Sequence, residues 1–507
     1  MISKVKGKKV DPDLGQTGFE VRGFHLDLRV QVMTLPALKR LARDLQEAGI
    51  NTLVLEWEAN YPFKSHPLIA GPLAYKVGEV HEFLAYCRRL GIDTIPLQQN
   101  FGHVEYILRH PRYQHLREDR KNYSQLCPLE APKAKALFAE LFAELAASHS
   151  SKYFHIGGDE TYLLGHCARC RKKAQRYGKS KLYVDYVRQM AQLALGLGKT
   201  PLIWADMVLK HPEAIRSLPK KAVFVDWNYG WDLGRFGRHR ALLKSGLELW
   251  GAPALRSDPD NYFLTRWDYH LKNLRDFVPA GRRLGYRGMI ITSWSTSGEF
   301  SSVFESGTDI VDLIPIRRNY PLAGFGMLLA AFAESLRSAR PIDPKAFVLG
   351  FAQRRYGLKP PQAAGFWEAL SDAPYQVKQG VVDARPAMSL PVLLRRAQRA
   401  AQRLKALRPA SHAAEFEHYR LMADIRVHYL GYQALESRSN SKDLAIATDR
   451  GILAGLRRLR AEGQGLSARF SRLHRGYLKP AELRQENALR NAKVQLLIER
   501  LAAREGR

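Results

Sequence analysis

Two adjacent carboxylates, Asp159 and Glu160, follow a pair of glycines at the end of a short apolar segment. Side chains alternate along an extended chain, so neighbouring acids face one space only where the backbone turns. Gly157 and Gly158 permit such a turn, because glycine adopts backbone angles that other residues avoid. Two acids directed into one space need a proton or partners, which is the condition that acid–base catalysis uses. On this stretch alone, the alternative is a strand-end turn in which Asp159 caps the next helix.

The elements that must position these acids are short apolar segments alternating with amphipathic helical patterns, from residue 20 to about 335. Strands buried on both faces, each followed by a helix, indicate a parallel sheet, and eight such units predict a (β/α)8 TIM barrel in the α/β class. A doubly wound open sheet is the competing fold, but it usually has a Gly-rich first turn, which this chain lacks. The predicted strands are Phe19 to Arg29, Ile50 to Glu58, Asp93 to Gln98, Lys152 to Ile156, Thr200 to Trp204, Ala222 to Trp227, Leu247 to Ala252 and Arg287 to Trp294.

Strand patterns stop after about residue 340, where helical periodicity rich in Ala, Leu, Arg and Gln takes over. The sequence therefore predicts an N-terminal extension over 1–19, a catalytic barrel over 20–338 and a basic, all-helical domain over 339–507. The helical domain is expected to pack on the barrel or to pair with another copy as a homodimer. No chemistry is predicted for it.

The chain is strongly basic, with a formal net charge of +30. Residues 331–507 hold 32 Lys and Arg against 16 Asp and Glu, so the excess is densest there. Nucleic acid or an anionic surface would suit this charge, but no nucleic-acid motif accompanies it, and solvated Arg-rich helix faces are the favoured interpretation. The basic N-terminus precedes no apolar run, and no segment reaches the roughly 18 apolar residues of a membrane span. The sequence predicts a cytoplasmic protein without membrane contact.

Cys167 and Cys170 form a Cys-x-x-Cys pair beside His166. A zinc site needs about four ligands, and no second pair of this kind completes the set. With Cys87 and Cys127 the chain has four cysteines, too few for a disulfide framework. Ordinary thiols are the favoured interpretation, with a structural metal or a redox pair as the alternative, so neither a metal nor a cofactor is predicted.

Catalytic groups of a TIM barrel lie at the carboxyl ends of its strands, and polar and aromatic residues collect at those positions in this chain. Three of the eight Trp residues end strands five, six and eight. Indoles stack on the apolar faces of sugar rings, while acids and arginine bind hydroxyls, so the strand ends predict a sugar-binding mouth. Its members are Asp27, Arg29, Glu56, Glu58, Gln99, His103, Asp159, Glu160, Trp204, Asp206, Trp227, Tyr229 and Trp294.

The segment His155-Ile-Gly-Gly-Asp-Glu160, at the end of a fourth barrel strand, resembles the signature of family 20 glycoside hydrolases, the β-N-acetylhexosaminidases. The segments Arg22-Gly-Phe-His-Leu-Asp27 and Phe101-Gly-His103 and the three strand-end Trp agree with this family. With Pro96 to His103 and Ile203 to Met207, the pattern is most similar to the hexosaminidase D branch, which is intracellular in type. The resemblance covers roughly residues 20–335.

This resemblance implies a retaining exo-enzyme that removes terminal β-linked GlcNAc or GalNAc from a glycan or glycoconjugate. The substrate's own 2-acetamido group would be the nucleophile and would form an oxazolinium intermediate. Glu160 would be the general acid and then the base, kept protonated by repulsion from Asp159, which would hold the acetamido group. The implied substrate-binding residues are Arg22 (or Arg29), Asp27, Glu58 (or Glu56), His103 as the residue that orders the acid, Trp204, Asp206, Trp227, Tyr229 (or Tyr262) and Trp294.

One departure from the family affects recognition of the sugar hydroxyls. Many members carry Trp-x-Glu after strand eight, whereas Trp294 is followed here by Ser-Thr-Ser. The choice between GlcNAc and GalNAc therefore stays open, with the hexosaminidase D resemblance favouring acceptance of GalNAc. Two other functions remain as alternatives: a family-20-type hydrolase that releases a disaccharide, and a non-catalytic barrel that binds a glycan or an anionic polymer.

Overall fold

The computed structural model describes residues 18–237, 239–296, 298, 300–304, 311–441 and 446–505. The predicted N-terminal extension over 1–19 lies outside these ranges except for its last two residues. A closed barrel of eight parallel strands forms the first part of the chain. It closes because the first strand pairs with the second on one side and, on the other, with the last barrel strand, Gly288–Ser293. The predicted TIM barrel is confirmed, and the open-sheet alternative is wrong.

All eight predicted strands are present, most of them trimmed by a few residues at their ends. A short ninth strand, β8, continues the line of β7 along β9 after Pro253. The strands of this sheet are β1 (Val21–Asp27), β2 (Thr52–Glu56), β3 (Asp93–Leu97), β4 (Tyr153–His155), β5 (Thr200–Trp204), β6 (Val223–Trp227), β7 (Glu248–Ala252), β8 (Ala254–Arg256) and β9 (Gly288–Ser293).

Amphipathic helices surround the barrel, and the first shows why these segments fold as they do. Thr34 caps it through a hydrogen bond from Ala37 N–H, and Leu38, Leu41 and Leu45 form its buried face at helical spacing. The helices of the barrel region are α1 (Leu35–Glu47), α2 (Val77–Arg89), α3 (Glu105–Leu108), α4 (Ala131–Ser148), α5 (Ala168–Tyr177), α6 (Lys179–Gly196), α7 (Asp206–Lys210), α8 (His239–Leu243), α9 (Trp267–Arg283) and α10 (Gly326–Arg337).

The barrel interior is filled by side chains from alternate positions of the strands. Val54, Ile95, Leu202 and Val225 belong to one buried cluster inside the ring of strands. The lower part of the barrel is therefore a packed core, and a ligand has to bind above it, at the carboxyl ends of the strands.

The predicted helical C-terminal domain is confirmed, and its described residues also form one hairpin that the sequence did not predict. Tyr375 and Val377 bury their side chains beside Tyr429, and the turn has positive φ at both Gln379 and Gly380, as a tight hairpin turn requires. The elements after the barrel sheet are β10 (Phe300–Phe304), β11 (Val311–Pro315), α11 (Pro344–Tyr356), α12 (Pro360–Ser371), β12 (Tyr375–Lys378), β13 (Val381–Ala384), α13 (Leu390–Ala406), α14 (Ala413–Ser439), α15 (Ile446–His474) and α16 (Pro480–Glu505).

The C-terminal helices pack on the barrel. Arg318, which follows β11, forms a buried ion pair with Glu482 and Glu486 of α16. Thr34 donates its hydroxyl hydrogen to Gly476 O at 2.8 Å, at the start of α1. Pairing of two copies and the exact domain boundaries stay predictions. In the described part of the chain, no helix is both long and apolar enough to span a membrane.

Candidate active site

Strand β4 ends at His155, and the chain then turns sharply through two glycines. Gly157 and Gly158 have φ of +64° and +93°, which confirms the turn predicted from the Gly-Gly pair. The turn is held from both sides, since Gly157 N–H donates to His155 Nδ1 at 3.0 Å and the Tyr183 hydroxyl donates to Gly158 O at 3.2 Å. The turn directs Asp159 and Glu160 into the space above the barrel.

Gly157→Ala should destabilise the protein by about 2–4 kcal/mol, since an L residue at positive φ costs about 1–2 kcal/mol and crowding adds about as much again. A Cβ at this position would lie 2.0 Å from Gln99 Oε1 and 3.4 Å from Gln99 Cα. Gly91→Ala is the matched control, because Gly91 has φ of +71° and nothing within 4 Å of a built Cβ. Thermal melting should separate the two variants, and equal losses would contradict the predicted crowding against Gln99.

His103 lies between the two acids. Its Nε2 is 3.2 Å from Glu160 Oε2 and 3.4 Å from Asp159 Oδ2. Burial lowers the pKa of His103, but the charges of Asp159 and Glu160 outweigh burial, so this pKa lies well above its usual value. The arrangement is therefore an imidazolium facing two carboxylates.

The expectation that repulsion keeps Glu160 protonated does not match this geometry. Burial raises the pKa of Glu160. The His103 imidazolium and a hydrogen bond from Tyr162 lower this pKa by more than burial raises it, so it falls below its usual value. The Tyr162 hydroxyl donates to Glu160 Oε1 at 2.7 Å. The mobile proton of the resting site is thus held on His103, next to Glu160.

Asp206 lies beneath the acids. Its side chain is fully buried and does not line the cavity; instead Oδ2 accepts from Glu160 N–H at 3.2 Å and Oδ1 from Trp227 Nε1 at 3.4 Å. Burial, with the nearby charge of Asp159, raises the pKa of Asp206 to about 7. Asp206, predicted to bind substrate, is placed by the structure as a support for the acidic loop and for Trp227.

Aromatic side chains line the cavity into which the acids point. Trp204, Trp227, Tyr229 and Trp294 all line a cavity of about 860 Å³ that also receives Asp159, Glu160 and His103. Trp294 Nε1 donates to the Tyr229 hydroxyl oxygen at 2.7 Å, which fixes the two rings relative to each other. The structure thus brings together the acid pair, its histidine and the four aromatic residues predicted to face the sugar.

Tyr262, the other tyrosine considered for the acetamido contact, does not reach this cavity. It is buried against Tyr320 and Phe470, and its hydroxyl accepts a hydrogen bond from Arg490 Nη1 at 2.8 Å. Tyr229 is therefore the tyrosine that the structure places beside the acids.

Arg22 lies at the wrong end of the barrel to bind substrate there. Side chains alternate along β1, and Val21 and His25 face the interior, so Arg22 points outward near the amino end and donates to Gly49 O at 2.8 Å. Arg29, the alternative, lies at the carboxyl end, lines the cavity and has its Cζ 5.1 Å from the centre of the Trp294 ring.

Asp27 holds Arg29 in place and does not line the cavity. Its Oδ2 accepts from Arg29 Nη2 at 3.1 Å and from the Ser295 hydroxyl at 2.7 Å. Burial raises the pKa of Asp27, but the charge and hydrogen bonds of Arg29 dominate and lower it to about 2. Asp27 is therefore a constant negative charge beneath the arginine.

Neither acid of the second strand forms part of the cavity wall. Glu56 is fully buried inside the barrel, where its Oε2 lies 2.8 Å from His25 Nε2. Glu58 is nearly buried, and its Oε1 lies 3.9 Å from Arg29 Nε. The structure thus replaces the predicted substrate contact of Glu58 with a position behind Arg29.

Several cavity residues were not predicted from the sequence. Glu105 lines the cavity, and burial raises its pKa to about 7. Trp231 follows Tyr229 by two residues, so a search for aromatics beyond the strand end could have found it. Lys378 and Gln379 come from the C-terminal hairpin, for which the sequence indicated no chemistry. The further unpredicted members of the wall include Lys121, Asn122, Tyr162, Arg235, Phe236, Asp258 and Arg317.

Among the residues that the structure describes, no group of three or more possible metal ligands lies in the cavity wall. One such group lies outside the cavity and consists of Glu118, Cys127, Cys167 and Cys170.

Comparison with known proteins points to one family. The family model for the catalytic domain of glycosyl hydrolase family 20 matches residues 23–249. Hexosaminidase D of Bos taurus is 31% identical over 307 residues, which is 56% of this chain and 87% of the relative. Hexosaminidase D of Homo sapiens is 29% identical over 350 residues, 66% of this chain and 69% of the relative. A solved β-N-acetylhexosaminidase from Bacteroides fragilis NCTC 9343 aligns at 19% identity with a TM-score of 0.49, covering 66% of this chain and 70% of that one.

Proposed function

Because the chain belongs to glycosyl hydrolase family 20 and is a glycoside hydrolase, we propose that it removes terminal β-linked N-acetylhexosamine residues with retention of configuration. The observation that carries this proposal is the group formed by Asp159, Glu160 and His103, which shares one cavity with the aromatic wall formed by Trp204, Trp227, Tyr229 and Trp294. Acids supply proton transfer and charge stabilisation, and indoles supply the stacking that a sugar ring needs.

The position of the two acids favours the substrate's 2-acetamido group as the nucleophile. An ordinary retaining glycosidase places its two carboxyl groups on opposite sides of the scissile bond, about 5–5.5 Å apart. Asp159 and Glu160 are neighbours in the chain and both face His103 Nε2. An acid pair on one side leaves the attack on the anomeric carbon to the acetamido oxygen, as in the family's substrate-assisted reaction.

Glu160 is the general acid of the proposed reaction, and His103 supplies its proton. As the glycosidic oxygen approaches Glu160, displacement of water weakens the carboxylate form, and the proton moves from His103 Nε2 to Glu160 and then to the leaving group. In the second half-reaction Glu160, again a carboxylate, removes a proton from the water that opens the oxazolinium ring and passes it to His103 Nε2, which restores the resting state.

Asp159 orients the nucleophile. Its Oδ1 is buried and has no hydrogen-bond partner, while Oδ2 faces His103. A buried carboxylate oxygen without a partner is costly, so the acetamido N–H is a favourable donor to it. The same negative charge stabilises the positive charge that develops on the oxazolinium ring.

The aromatic wall completes the binding site for the sugar. Trp204 and Trp294 lie side by side at the barrel mouth, with ring centroids 6.0 Å apart and ring planes inclined by 49°. We assign the acetamido methyl group to this part of the wall, with the Tyr229 hydroxyl donating to the acetamido oxygen. Arg29, buried beside Trp294, is assigned to the sugar hydroxyls in place of Arg22.

The purified chain should hydrolyse chromogenic β-N-acetylhexosaminides, and a thiazoline mimic of the cyclised intermediate should inhibit it competitively. GlcNAc and GalNAc substrates assayed in parallel would give the preference at the 4-hydroxyl, and a disaccharide aglycone substrate would reveal a disaccharide-releasing enzyme. Hydrolysis that the thiazoline does not inhibit would contradict the acetamido nucleophile. Inertness on all three substrates would favour the non-catalytic binding barrel.

A further inference from the structure

Three cysteines and a glutamate meet beside the active-site loops. Cys127 Sγ lies 3.5 Å from Cys170 Sγ and 3.9 Å from Cys167 Sγ. The carboxylate of Glu118 joins them, and one ligand atom from each of the four residues lies within 4.8 Å of all the others. Glu118, Cys127 and Cys170 are buried and Cys167 is half-buried, so the cluster is largely closed to solvent.

These separations suit one metal ion at the centre of the group. Zinc–sulfur bonds of about 2.3 Å at tetrahedral angles place neighbouring sulfur atoms about 3.8 Å apart. The two sulfur–sulfur distances of 3.5 and 3.9 Å bracket that value. A disulfide would join two of the thiols and leave the third thiol and the glutamate without a role, whereas one cation uses all four groups.

Glu118 provides an independent indication of a cation. Its side chain is 3% exposed, and only Oε1 has a partner, Cys167 N–H at 2.8 Å. Oε2 is buried without a hydrogen-bond partner. The nearby Arg169 is paired with Glu130. A buried carboxylate oxygen in this situation is costly unless a cation or donor reaches it.

The backbone around Cys167 favours thiolates. Cys167 caps α5, and its Sγ accepts the N–H of Cys170 at 3.4 Å. The amino end of a helix carries partial positive charge and stabilises a thiolate there. The same helix is strongly basic, although two of its basic residues, Arg169 and Lys173, are paired with Glu130 and Asp185.

We propose that Glu118, Cys127, Cys167 and Cys170 bind one Zn²⁺ ion as a structural site. Thiolate-rich tetrahedral sites select zinc among the common divalent ions, and four protein ligands leave no open position for catalysis. His166 is not part of the set, because its exposed ring faces Asp119 at 3.7 Å.

The ion would join two loops that carry catalytic groups. Glu118 and Cys127 belong to the loop between β3 and α4, which also carries His103, and Cys167 ends the loop between β4 and α5, which carries Asp159 and Glu160. A hydrogen bond from Leu163 N–H to Gln125 Oε1 at 2.7 Å links the same two loops. The zinc site, which lies outside the cavity, would thereby fix the position of the His103 imidazole relative to Asp159 and Glu160.

Metal analysis of the full-length chain, purified without chelators, should find about one zinc ion per chain. Cys127→Ala and Cys170→Ala should each lose most of this zinc. Cys87→Ala is the matched control, because Cys87 is a buried cysteine of α2 that is not a member of the cluster, and it should retain the metal in full. Substitution with Co²⁺ should give the thiolate-to-cobalt charge-transfer and visible bands of a tetrahedral thiolate site in the wild type and in Cys87→Ala.

A second measurement covers variants that fail to fold. In the folded wild type, a thiol reagent should modify the three cluster cysteines only after a strong chelator removes the metal. Glu118→Gln keeps the size of the side chain and should release zinc to a competing chelator at least tenfold more readily. Absence of zinc with three reactive thiols, a disulfide within the cluster, or metal that remains in Cys170→Ala would each overturn the proposal. None of these readouts involves turnover, so failure of the glycosidase assay would be a separate result.

Discussion

Glu160→Gln should lower kcat/KM by about 10²–10⁴-fold for β-N-acetylhexosaminides whose leaving group is a sugar alcohol, the usual contribution of a general acid. The amide keeps the shape of the side chain and can still bond with Tyr162, whose hydroxyl lies 2.7 Å from Glu160 Oε1. It cannot accept the proton from His103 or pass one to the glycosidic oxygen. KM should change little, because the lost interaction is made in the transition state.

The leaving group decides whether this loss reflects proton transfer. A nitrophenolate departs with little protonation, so Glu160→Gln should lose far less on an activated aryl substrate than on a glycan with a sugar alcohol as leaving group. Glu105→Gln is the matched control, since Glu105 is another buried glutamate of the same cavity and makes no contact with Glu160 that would carry the proton. Equal losses on good and poor leaving groups would contradict the acid role of Glu160.

The barrel could be predicted because burial on both faces leaves a distinct mark on the sequence. Segments such as Thr200–Trp204 and Gly288–Ser293 are rich in apolar residues and almost entirely buried, and the helical patterns between them differ in period. The C-terminal hairpin escaped prediction because β12 and β13 are four residues each and lie among long helices. Gly380, a residue that favours tight turns, was the available signal in the sequence.

Site residues at strand ends could be predicted from the sequence. Their direction, protonation and hydrogen-bond partners could not, because these depend on contacts between distant parts of the chain. Arg22 and Arg29 both belong to the first strand segment, and only the alternation around Val21 and His25 shows which one reaches the mouth. The protonation state of Glu160 depends on His103, which is remote from it in the sequence and adjacent to it only in the folded structure. Asp27 and Asp206 have the right residue type and position, but their oxygens are used by protein donors.

The cysteine cluster illustrates the same limit. A Cys-x-x-Cys pair without a second pair reads as ordinary thiols, because the other ligands come from a loop some 40 positions earlier. An isolated β-bridge between Arg117 and Leu126 brings Glu118 and Cys127 together, and no local sequence pattern predicts this contact. Spacing rules for metal sites detect adjacent pairs and miss ligand sets assembled from separate loops.

Asp159→Asn should lower kcat by about 10²–10³-fold, comparable to removing one preorganised charge-stabilising group. The neutral amide can still accept an acetamido N–H, but it no longer stabilises the positive charge of the oxazolinium ring. The loss should therefore persist on activated aryl substrates, where Glu160→Gln is least affected. Asp258→Asn is the matched control: Asp258 lines the same cavity, is half exposed and pairs with Arg317, so its neutralisation should change the rate by less than tenfold.

Binding of the thiazoline distinguishes the roles of the two acids. The thiazoline carries the cyclised ring that Asp159 is proposed to hold through Oδ1, an oxygen that is buried without a partner in the free enzyme. Its affinity should fall in Asp159→Asn in proportion to kcat/KM, as expected for a group that stabilises the intermediate. Glu160→Gln should bind it nearly as well as the wild type, because the inhibitor has no leaving group to protonate. A parallel loss of affinity in both variants would show that the acids act as one unit, and the division between proton transfer and nucleophile orientation would then be wrong.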